Sequence, residues 1–423
     1  MCWTPAITSS TVSSTDFPRR ISALTPTHPF RAPEKRFDPG KWLLLILTGI
    51  FSFALFMRLL QHPTSDISVH TTWAGECTFS DLTTFVRHGA HPMWHVLVTI
   101  VTLLGVPLNP ASALVTAAVK VIEVWLIHRL LTVALHNHLS RGMISIFAAV
   151  CAGVMCLFVP FYNPTVYLGV GSPNTWHSCT QLMAQIFMLV CVPYTAWCYD
   201  CFTHRLIAQG QETRLPWMQA IVLGVLVFLS LLAKPTFMQA FLPAACLFFL
   251  WQWIRHPKNS RFFVQIILCV LPAVLFMIFQ FLYYFGIIVP WQASMVVEAS
   301  GNKLLDTLIR VVLMIAFPIY TMIACREEKA DTTYVLTLVF NAVAIVEFLI
   351  LGENGRRSAD GNFGWGMMGA ALMLWVVCLI RFLKAAGWKK SSKRHLIGWI
   401  LLGWHLFSGV YYVIYLFVTG AAL

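Results

Sequence analysis

Residues 66–95 read DISVHTTWAGECTFSDLTTFVRHGAHPMWH, a polar stretch that contains several acids and histidines. It follows one long apolar run, at 42–60, and precedes nearly all the other apolar runs of the chain. A run of about 20 apolar residues is long enough to cross a bilayer as a helix. The position of the stretch therefore predicts a polar segment at a membrane surface, framed by the helices before and after it.

The composition of the chain places this segment in a membrane protein. The 423 residues are 58% hydrophobic and only 11% charged, whereas a soluble domain carries about 25% charged residues. The net charge of +12 comes from short basic loops between apolar runs, which is how membrane topology is encoded. The sequence therefore predicts membrane lipids as partners and excludes nucleic acid.

We predict an all-α polytopic domain over residues 41–423, preceded by a disordered cytoplasmic tail at 1–40. The tail is rich in Ser, Thr and Pro and has no apolar periodicity, which is typical of disorder. The apolar runs that predict spans are 42–60, 111–133, 143–161, 178–199, 217–233, 237–254, 262–288, 306–325, 332–351, 363–383 and 396–418. A shorter apolar run at 92–106 is bounded by prolines on both sides.

The basic loops indicate which side each loop faces. Lys and Arg are enriched in cytoplasmic loops, and they cluster here at 129–141, 205–214, 255–261, 326–329 and 384–394. All of these fall on one side only if 92–106 does not cross the membrane. We therefore expect about eleven spans, a cytoplasmic N-terminus and an interfacial helix within a first outer loop at 61–110. The remaining outer loops are 162–177, 234–236, 289–305 and 352–362.

The unusual polar side chains all fall in these outer loops, which predicts a functional site on the outer face. The candidates are Asp66, His70, His95, Asn174, Trp176, His177, Lys234, Glu353, Arg356, Arg357 and Asn362.

Asp66 and the histidines near it have both a catalytic and a structural interpretation. The Asp66 carboxylate, with His70 four residues later, could act as a general base for an acceptor hydroxyl, or it could be a solvated loop acid. His91 and His95 have the i, i+4 spacing of a metal-binding pair. With Trp94 between them, they could instead anchor a helix at the membrane surface.

The other outer-loop candidates are polar and cationic. Asn174, Trp176 and His177 could contact a sugar, or they could belong to a tight turn with an interfacial aromatic residue. Three basic residues lie in predicted outer loops, where Lys and Arg are depleted: Lys234, Arg356 and Arg357. These three outer-loop cations could bind a phosphate, or they could be solvated.

Three further features favour a structural interpretation. Lys120 and Glu123 are three residues apart within a predicted span, where they can pair with each other. Glu347 also lies within a predicted span. Cys77 and Cys179 fall in or beside predicted outer loops and could form a disulfide.

The pattern of the first 135 residues resembles the GT-C class of integral-membrane glycosyltransferases. The shared features are one span, an acid just outside it, and a short apolar helix that begins with His-Pro. In protein O-mannosyltransferases, a His-Pro-Pro-Leu segment occupies the place of residues 91–93 here. Many members carry two adjacent acids in the first loop, whereas Asp66 is followed by Ile67. The nearest other acids are Glu76 and Asp81.

Residues 42–420 also resemble a group of bacterial membrane proteins of surface-polysaccharide synthesis. The motifs that carry this second resemblance are G-x-G-S-P-N-x-W-H-x-x-T at 169–180, A-K-P-T-F at 233–237 and G-N-F-x-W-G at 361–366.

Together the resemblances imply a glycosyltransferase in a bacterial plasma membrane. It would move a sugar from a polyprenyl-phosphate donor to a glycan or lipid acceptor of the cell envelope. They imply no certain cofactor and leave a divalent metal open. A transporter, a polysaccharide polymerase and a non-catalytic component of polysaccharide assembly are the alternatives. A transporter is expected to show internal repeats and broken helices near the membrane midplane.

Overall fold

The computed structural model describes residues 26–31, 37–89, 91–163, 171–209, 213–255, 257–284, 293–297, 301–355, 363–386 and 393–420. Within them the chain is almost entirely helical. The helices are α1 (Pro39–Leu59), α2 (Asp66–Gly75), α3 (Met93–Leu103), α4 (Leu108–Leu135), α5 (Arg141–Gly153), α6 (Cys179–Gln209), α7 (Trp217–Ala233), α8 (Thr236–Arg255), α9 (Ser260–Tyr284), α10 (Gly301–Ala324), α11 (Thr332–Ile350), α12 (Gly364–Ala386) and α13 (Lys393–Thr419). Strands β1 (Ala293–Val297) and β2 (Leu351–Gly355) form one antiparallel pair.

Nine of the described helices are long and apolar enough to cross a membrane, which confirms an integral membrane protein of helical type. They correspond to nine of the eleven predicted runs. The other two runs contain α5 and α7, which have 13 and 17 residues. Helix α3 has only 11 residues, about half the length that a span requires.

Helix α5 ends at Gly153, and the following chain stays inside the bundle without helical hydrogen bonds of its own. Met155 N–H donates to the carbonyl of His405, Leu157 N–H donates to that of Leu313, and Phe158 N–H donates to the Ser408 hydroxyl. In a bilayer, non-helical backbone is tolerated only where neighbouring groups satisfy it in this way.

A close contact between α13 and the end of α5 supports this arrangement. A Cβ atom added at Gly409 of α13 would lie 1.7 Å from the Gly153 carbonyl oxygen. Only glycine allows that approach, because every other residue carries a Cβ.

Hydrogen bonds between distant residues group the helix ends into two sets. At one end, which we call the site end, the Arg58 guanidinium donates to the carbonyls of Phe417 and Val418, and the Tyr283 hydroxyl donates to the carbonyl of Val86. At the other end, which we call the basic end, Arg129 donates to the carbonyl of Phe30. There, Arg381 donates to the carbonyls of 325, 328 and 329.

Part of the segment that the composition predicts to be disordered packs on the basic end. The His28 ring lies edge-on to Trp197 with centroids 4.5 Å apart, and the Trp197 indole donates to the carbonyl of Pro26. Helix α1 begins at Pro39, after Asp38 has capped its first turn by accepting from Lys41 N–H.

Helix α12 is buried along nearly its whole length and forms the centre of the bundle. Its Trp375 is fully buried and donates to the carbonyl of Met314 in α10. The first residues of α12 reach the site end, where Trp365 lies beside residues of the polar segments described next.

Candidate functional site

Asp66 is the first residue of α2, and the local sequence fixes it there. Ser65 caps the helix by accepting from Ser68 N–H, and the Ser65 hydroxyl donates to the carbonyl of Leu59 at the end of α1. A carboxylate in the first turn is favoured by the positive end of the helix dipole. The Asp66 side chain is therefore held a few residues beyond α1.

His70 lies one helical turn after Asp66 on the same face of α2. Its Nε2 is 3.8 Å from the Asp66 carboxylate, and its Nδ1 is 3.1 Å from Nε2 of His95 in α3. His95 is positioned by its neighbour Trp94, whose indole donates to the Thr116 hydroxyl of α4. The structure thus brings three of the predicted site residues into one line: Asp66, His70 and His95.

Burial determines the protonation state of His95. Because His95 is only 4% exposed, desolvation lowers its pKa to about 4, with the neighbouring His88 acting in the same direction and the Asp66 carboxylate opposing. His95 is therefore neutral at pH 7. Its Nδ1 is buried without a hydrogen-bond partner.

Two tautomers fit the contacts along this line. In one, His95 Nε2–H donates to His70, and His70 Nε2–H points to the Asp66 carboxylate. In the other, His70 Nδ1–H donates to His95, and the Nε2 lone pair of His70 faces Asp66. The second tautomer leaves a ring nitrogen able to bind a ligand beside the carboxylate.

Cys179, the first residue of α6, completes this cluster. Its side chain is fully buried, and ligand atoms of Asp66, His70 and Cys179 all lie within 4.8 Å of one another. Cys77 and Cys179 are both free thiols, so the disulfide considered from the sequence is not formed. We call these three residues, with His95 behind them, the Asp66 cluster.

His177 and Lys234 lie next to the Asp66 cluster. His177 Nδ1 is 3.3 Å from the Tyr412 hydroxyl, and the Lys234 ammonium lies 4.2 Å from the centre of the Trp365 ring. Burial lowers the pKa of His177 to about 4. The Asp66 carboxylate opposes this shift and the Lys234 cation adds to it. An acid, a neutral imidazole and a cation therefore interact at the site end.

The side chains of Asn174 and Trp176 point to a different place, although both residues lie within three positions of His177 in sequence. The Asn174 amide donates to the carbonyls of Cys151 and Val154 at the end of α5. The Trp176 indole donates to the carbonyl of Ala152.

Both side chains also contact the buried ion pair of α4. The Lys120 ammonium is 2.6 Å from Glu123, 3.4 Å from the Asn174 side-chain oxygen and 4.2 Å from the Trp176 ring centre. We call Lys120 and Glu123 the buried pair, with Asn174 and Trp176 in contact with its lysine.

An apolar groove of about 390 Å³ runs beside the buried pair, between α1, α4, α5 and α13. Leu47, Phe51 and Val410 line it, and Trp176 forms part of its wall. Trp176 therefore faces a groove at membrane depth, while the next residue, His177, faces the Asp66 cluster.

The remaining four predicted site residues all follow helix α11 in sequence. Glu353 lies in β2, where its backbone pairs with Met295 of β1. Arg356, Arg357 and Asn362 lie outside the described residues.

Three residues at the site end were not among the candidates from sequence: Cys179, Trp365 and Tyr412. Cys179 occupies an unspecified position, written x, of the 169–180 motif, so the motif does not single it out. Trp365 lies within the 361–366 motif and could have been found from it. Tyr412 is one apolar residue of a span, and no signal distinguishes it from the aromatic residues around it.

Comparisons with known proteins add no family to this description. No family model matches the chain, and no curated protein is significantly similar to it in sequence.

Proposed function

We propose that the protein is a GT-C-type glycosyltransferase of a bacterial plasma membrane, with eleven spans, a cytoplasmic N-terminus and the site end facing outward. It transfers a sugar from a polyprenyl-phosphate donor to a glycan or lipid acceptor of the cell envelope. The observation that carries the proposal is the Asp66 carboxylate. It lies just beyond the first helix and is grouped with His70, His177 and Lys234.

The reaction needs a base and a cation, and both are present at the site end. The acceptor oxygen attacks the anomeric carbon of the sugar, and its proton passes to Asp66. The bond between that carbon and the phosphate oxygen breaks, and the polyprenyl phosphate leaves with the electron pair. A positioned base contributes on the order of a hundred- to ten-thousand-fold in rate.

Lys234 is the described cation suited to the departing phosphate. Its ammonium lies over the Trp365 ring, a contact that favours a defined position for a flexible side chain. Arg356 and Arg357 keep the role assigned to them from sequence, which is to bind the phosphate oxygens with their guanidinium groups.

The groove is suited to the polyprenyl tail of the donor. It is lined by apolar side chains of α1 and α13, and it reaches Trp176, one residue before His177 of the site end. A donor with its tail in the groove would have its phosphate brought toward Lys234 and its sugar toward Asp66. A soluble donor would not need an apolar groove beside the polar end.

Transfer itself can be tested on the purified protein in lipid nanodiscs. Labelled polyprenyl-phosphate sugars are supplied with cell-envelope acceptor lipids, and the label is followed by chromatography. We expect label to move to the acceptor and polyprenyl phosphate to be released. A folded protein that leaves a panel of such donors intact, or that carries them across a vesicle membrane unchanged, would contradict the proposal.

The groove can be tested separately with a photoactivatable polyprenyl phosphate. We expect cross-links on α1 near Leu47 and Phe51, and their loss in Val410→Trp, which fills the groove. Phe407→Trp is the matched control, because Phe407 is on the same helix and is 59% exposed without lining the groove. Equal cross-linking of both variants would show that the tail binds elsewhere.

A further inference from the structure

We propose that Asp66, His70 and Cys179 bind a zinc ion at the site end, with His95 holding His70 in the ligating tautomer. The proposal goes beyond glycosyl transfer and does not depend on it, since it follows from the chemistry and spacing of the three side chains. One carboxylate oxygen of Asp66 would bind the ion, and the other would remain to accept the proton in the proposed transfer.

The spacing is close to that of a zinc site. A tetrahedral zinc ion with bonds of about 2.0–2.3 Å separates its ligand atoms by roughly 3.3–3.8 Å. The Asp66 carboxylate and His70 Nε2 are already 3.8 Å apart, and all three ligand atoms lie within 4.8 Å. The widest separation exceeds this range by about 1 Å, which a small movement of one ligand atom on metal binding would close.

The types of ligand favour zinc among the divalent cations. A thiolate and an imidazole beside one carboxylate form a borderline-soft set that suits Zn²⁺, whereas Mg²⁺ and Ca²⁺ prefer oxygen ligands. Two anionic ligands, Asp66 and the Cys179 thiolate, would neutralise the charge of the ion. Binding would displace the thiol proton.

An unsatisfied carboxylate oxygen of Asp66 fits a bound cation. Asp66 Oδ2 is buried without a hydrogen-bond partner, and such an atom costs free energy unless something binds it. A cation beside the carboxylate removes this cost.

The contact between His70 and His95 is the kind of support that metal-binding histidines receive. Such a histidine usually donates its second ring N–H to a neighbouring acceptor, which fixes its tautomer and orientation. Here, Nδ1 of His70 is 3.1 Å from Nε2 of His95, so Nε2 of His70 is left to face Asp66. Three protein ligands leave a fourth position open, as in catalytic zinc sites, for water or a substrate oxygen.

Metal binding is measured without any sugar donor, so this proposal and the proposed function fail separately. Tag-free, metal-free protein in detergent is titrated with Zn²⁺ against a chromophoric chelator, and separately with Co²⁺ followed by absorption. We expect one tightly bound ion per chain and the charge-transfer absorption of a cobalt–thiolate bond.

The variants identify the ligands. Cys179→Ser and His70→Ala are expected to abolish tight binding, and Cys179→Ser to abolish the thiolate band. Cys191→Ser is the matched control, since Cys191 is fully buried in the same helix and outside the cluster. His95→Ala is expected to weaken zinc binding by about 10–100-fold, with partial recovery in His95→Gln, which retains an acceptor oxygen.

The outcomes that overturn the proposal are equally direct. Wild-type protein that binds Zn²⁺ no more tightly than the Cys179→Ser/His70→Ala double variant would refute it, as would cobalt binding without a thiolate band. The wild-type cobalt spectrum decides the question even if a variant does not fold.

Discussion

The Asp66 cluster and the buried pair both remove ionisable groups from water, yet they differ in how those groups are satisfied. In the buried pair, Lys120 contacts Glu123, Asn174 and Trp176 at once, so the cation is surrounded by partners, although Glu123 Oε2 has no hydrogen-bond partner. In the Asp66 cluster, a carboxylate oxygen of Asp66 and a ring nitrogen of His95 have no hydrogen-bond partner. The comparison teaches that a direct contact between opposite charges neutralises a buried ion within the fold, whereas a carboxylate placed 3.8 Å from a histidine ring nitrogen is open to an added cation.

The largest expected effect concerns which side of the membrane the two ends face. Single cysteines replace Ser80 at the site end and Asn137 at the basic end, both exposed, in a background without other accessible thiols. We expect an impermeant thiol reagent to label Ser80→Cys in intact cells and Asn137→Cys only after permeabilisation. The reverse pattern would place the Asp66 cluster in the cytoplasm and remove the basis for an outer-face donor.

The next effect is on turnover, and it separates Asp66 from other acids of the same segment. Asp66→Asn is expected to reduce sugar transfer by about a hundred- to ten-thousand-fold, because a positioned base is lost. Glu76→Gln is the matched control, since Glu76 is exposed and pairs with His88. Initial rates with the labelled donor give the comparison, and near-normal turnover of a folded Asp66→Asn protein would eliminate Asp66 as the base.

The buried pair is expected to affect stability before it affects chemistry. Lys120→Met leaves Glu123 buried without its partner, which is expected to lower the free energy of unfolding by about 3–5 kcal/mol. The double variant Lys120→Met/Glu123→Leu removes both charges and is expected to recover most of that loss. Unfolding in mixed micelles measures both, and an undisturbed single variant would mean that the pair contributes little to the fold.

The smallest effect tests the packing that holds residues 151–154 beside Asn174. Gly409→Ala is expected to lower the free energy of unfolding by about 1–3 kcal/mol, because the added methyl overlaps the Gly153 carbonyl. Gly403→Ala on the same helix has open space at the added Cβ and is expected to be neutral or stabilising by up to about 1 kcal/mol. Equal melting temperatures for the two variants would argue against the close contact between α13 and the end of α5.

The sequence could predict the parts of the fold and site that depend on local spacing. Apolar runs of sufficient length predict spans, and the four-residue spacing of Asp66 and His70 suggested a joint role, although helix α2, which puts them on one face, was not among the predictions. The end of α5 at Gly153 could not be predicted in this way, because the apolar run continues to residue 161 whether the backbone is helical or extended.

The directions of side chains in the 171–178 segment could not be predicted either. The motif at 169–180 suggested one common role for Asn174, Trp176 and His177, but the side-chain direction in a non-helical segment depends on tertiary contacts. The cluster formed by Asp66 and Cys179 likewise depends on how two distant helix ends meet. Long-range juxtaposition of this kind leaves no periodic signal in a single sequence.

The adjacency of Trp176 and His177 has a mechanical consequence. Consecutive Cα atoms are about 3.8 Å apart across a rigid, planar peptide unit, and this unit joins the wall of the groove to the polar end. The surroundings are densely packed, so a shift on one side is not absorbed locally. If the groove holds a lipid tail as proposed, a hydrocarbon chain that displaced the Trp176 ring would be expected to shift the His177 backbone as well, so that tail length and saturation would influence the geometry of the site end. Discrimination among lipid carriers would then be exerted through a single amide linkage, with no contact between the distal isoprene units and the polar end.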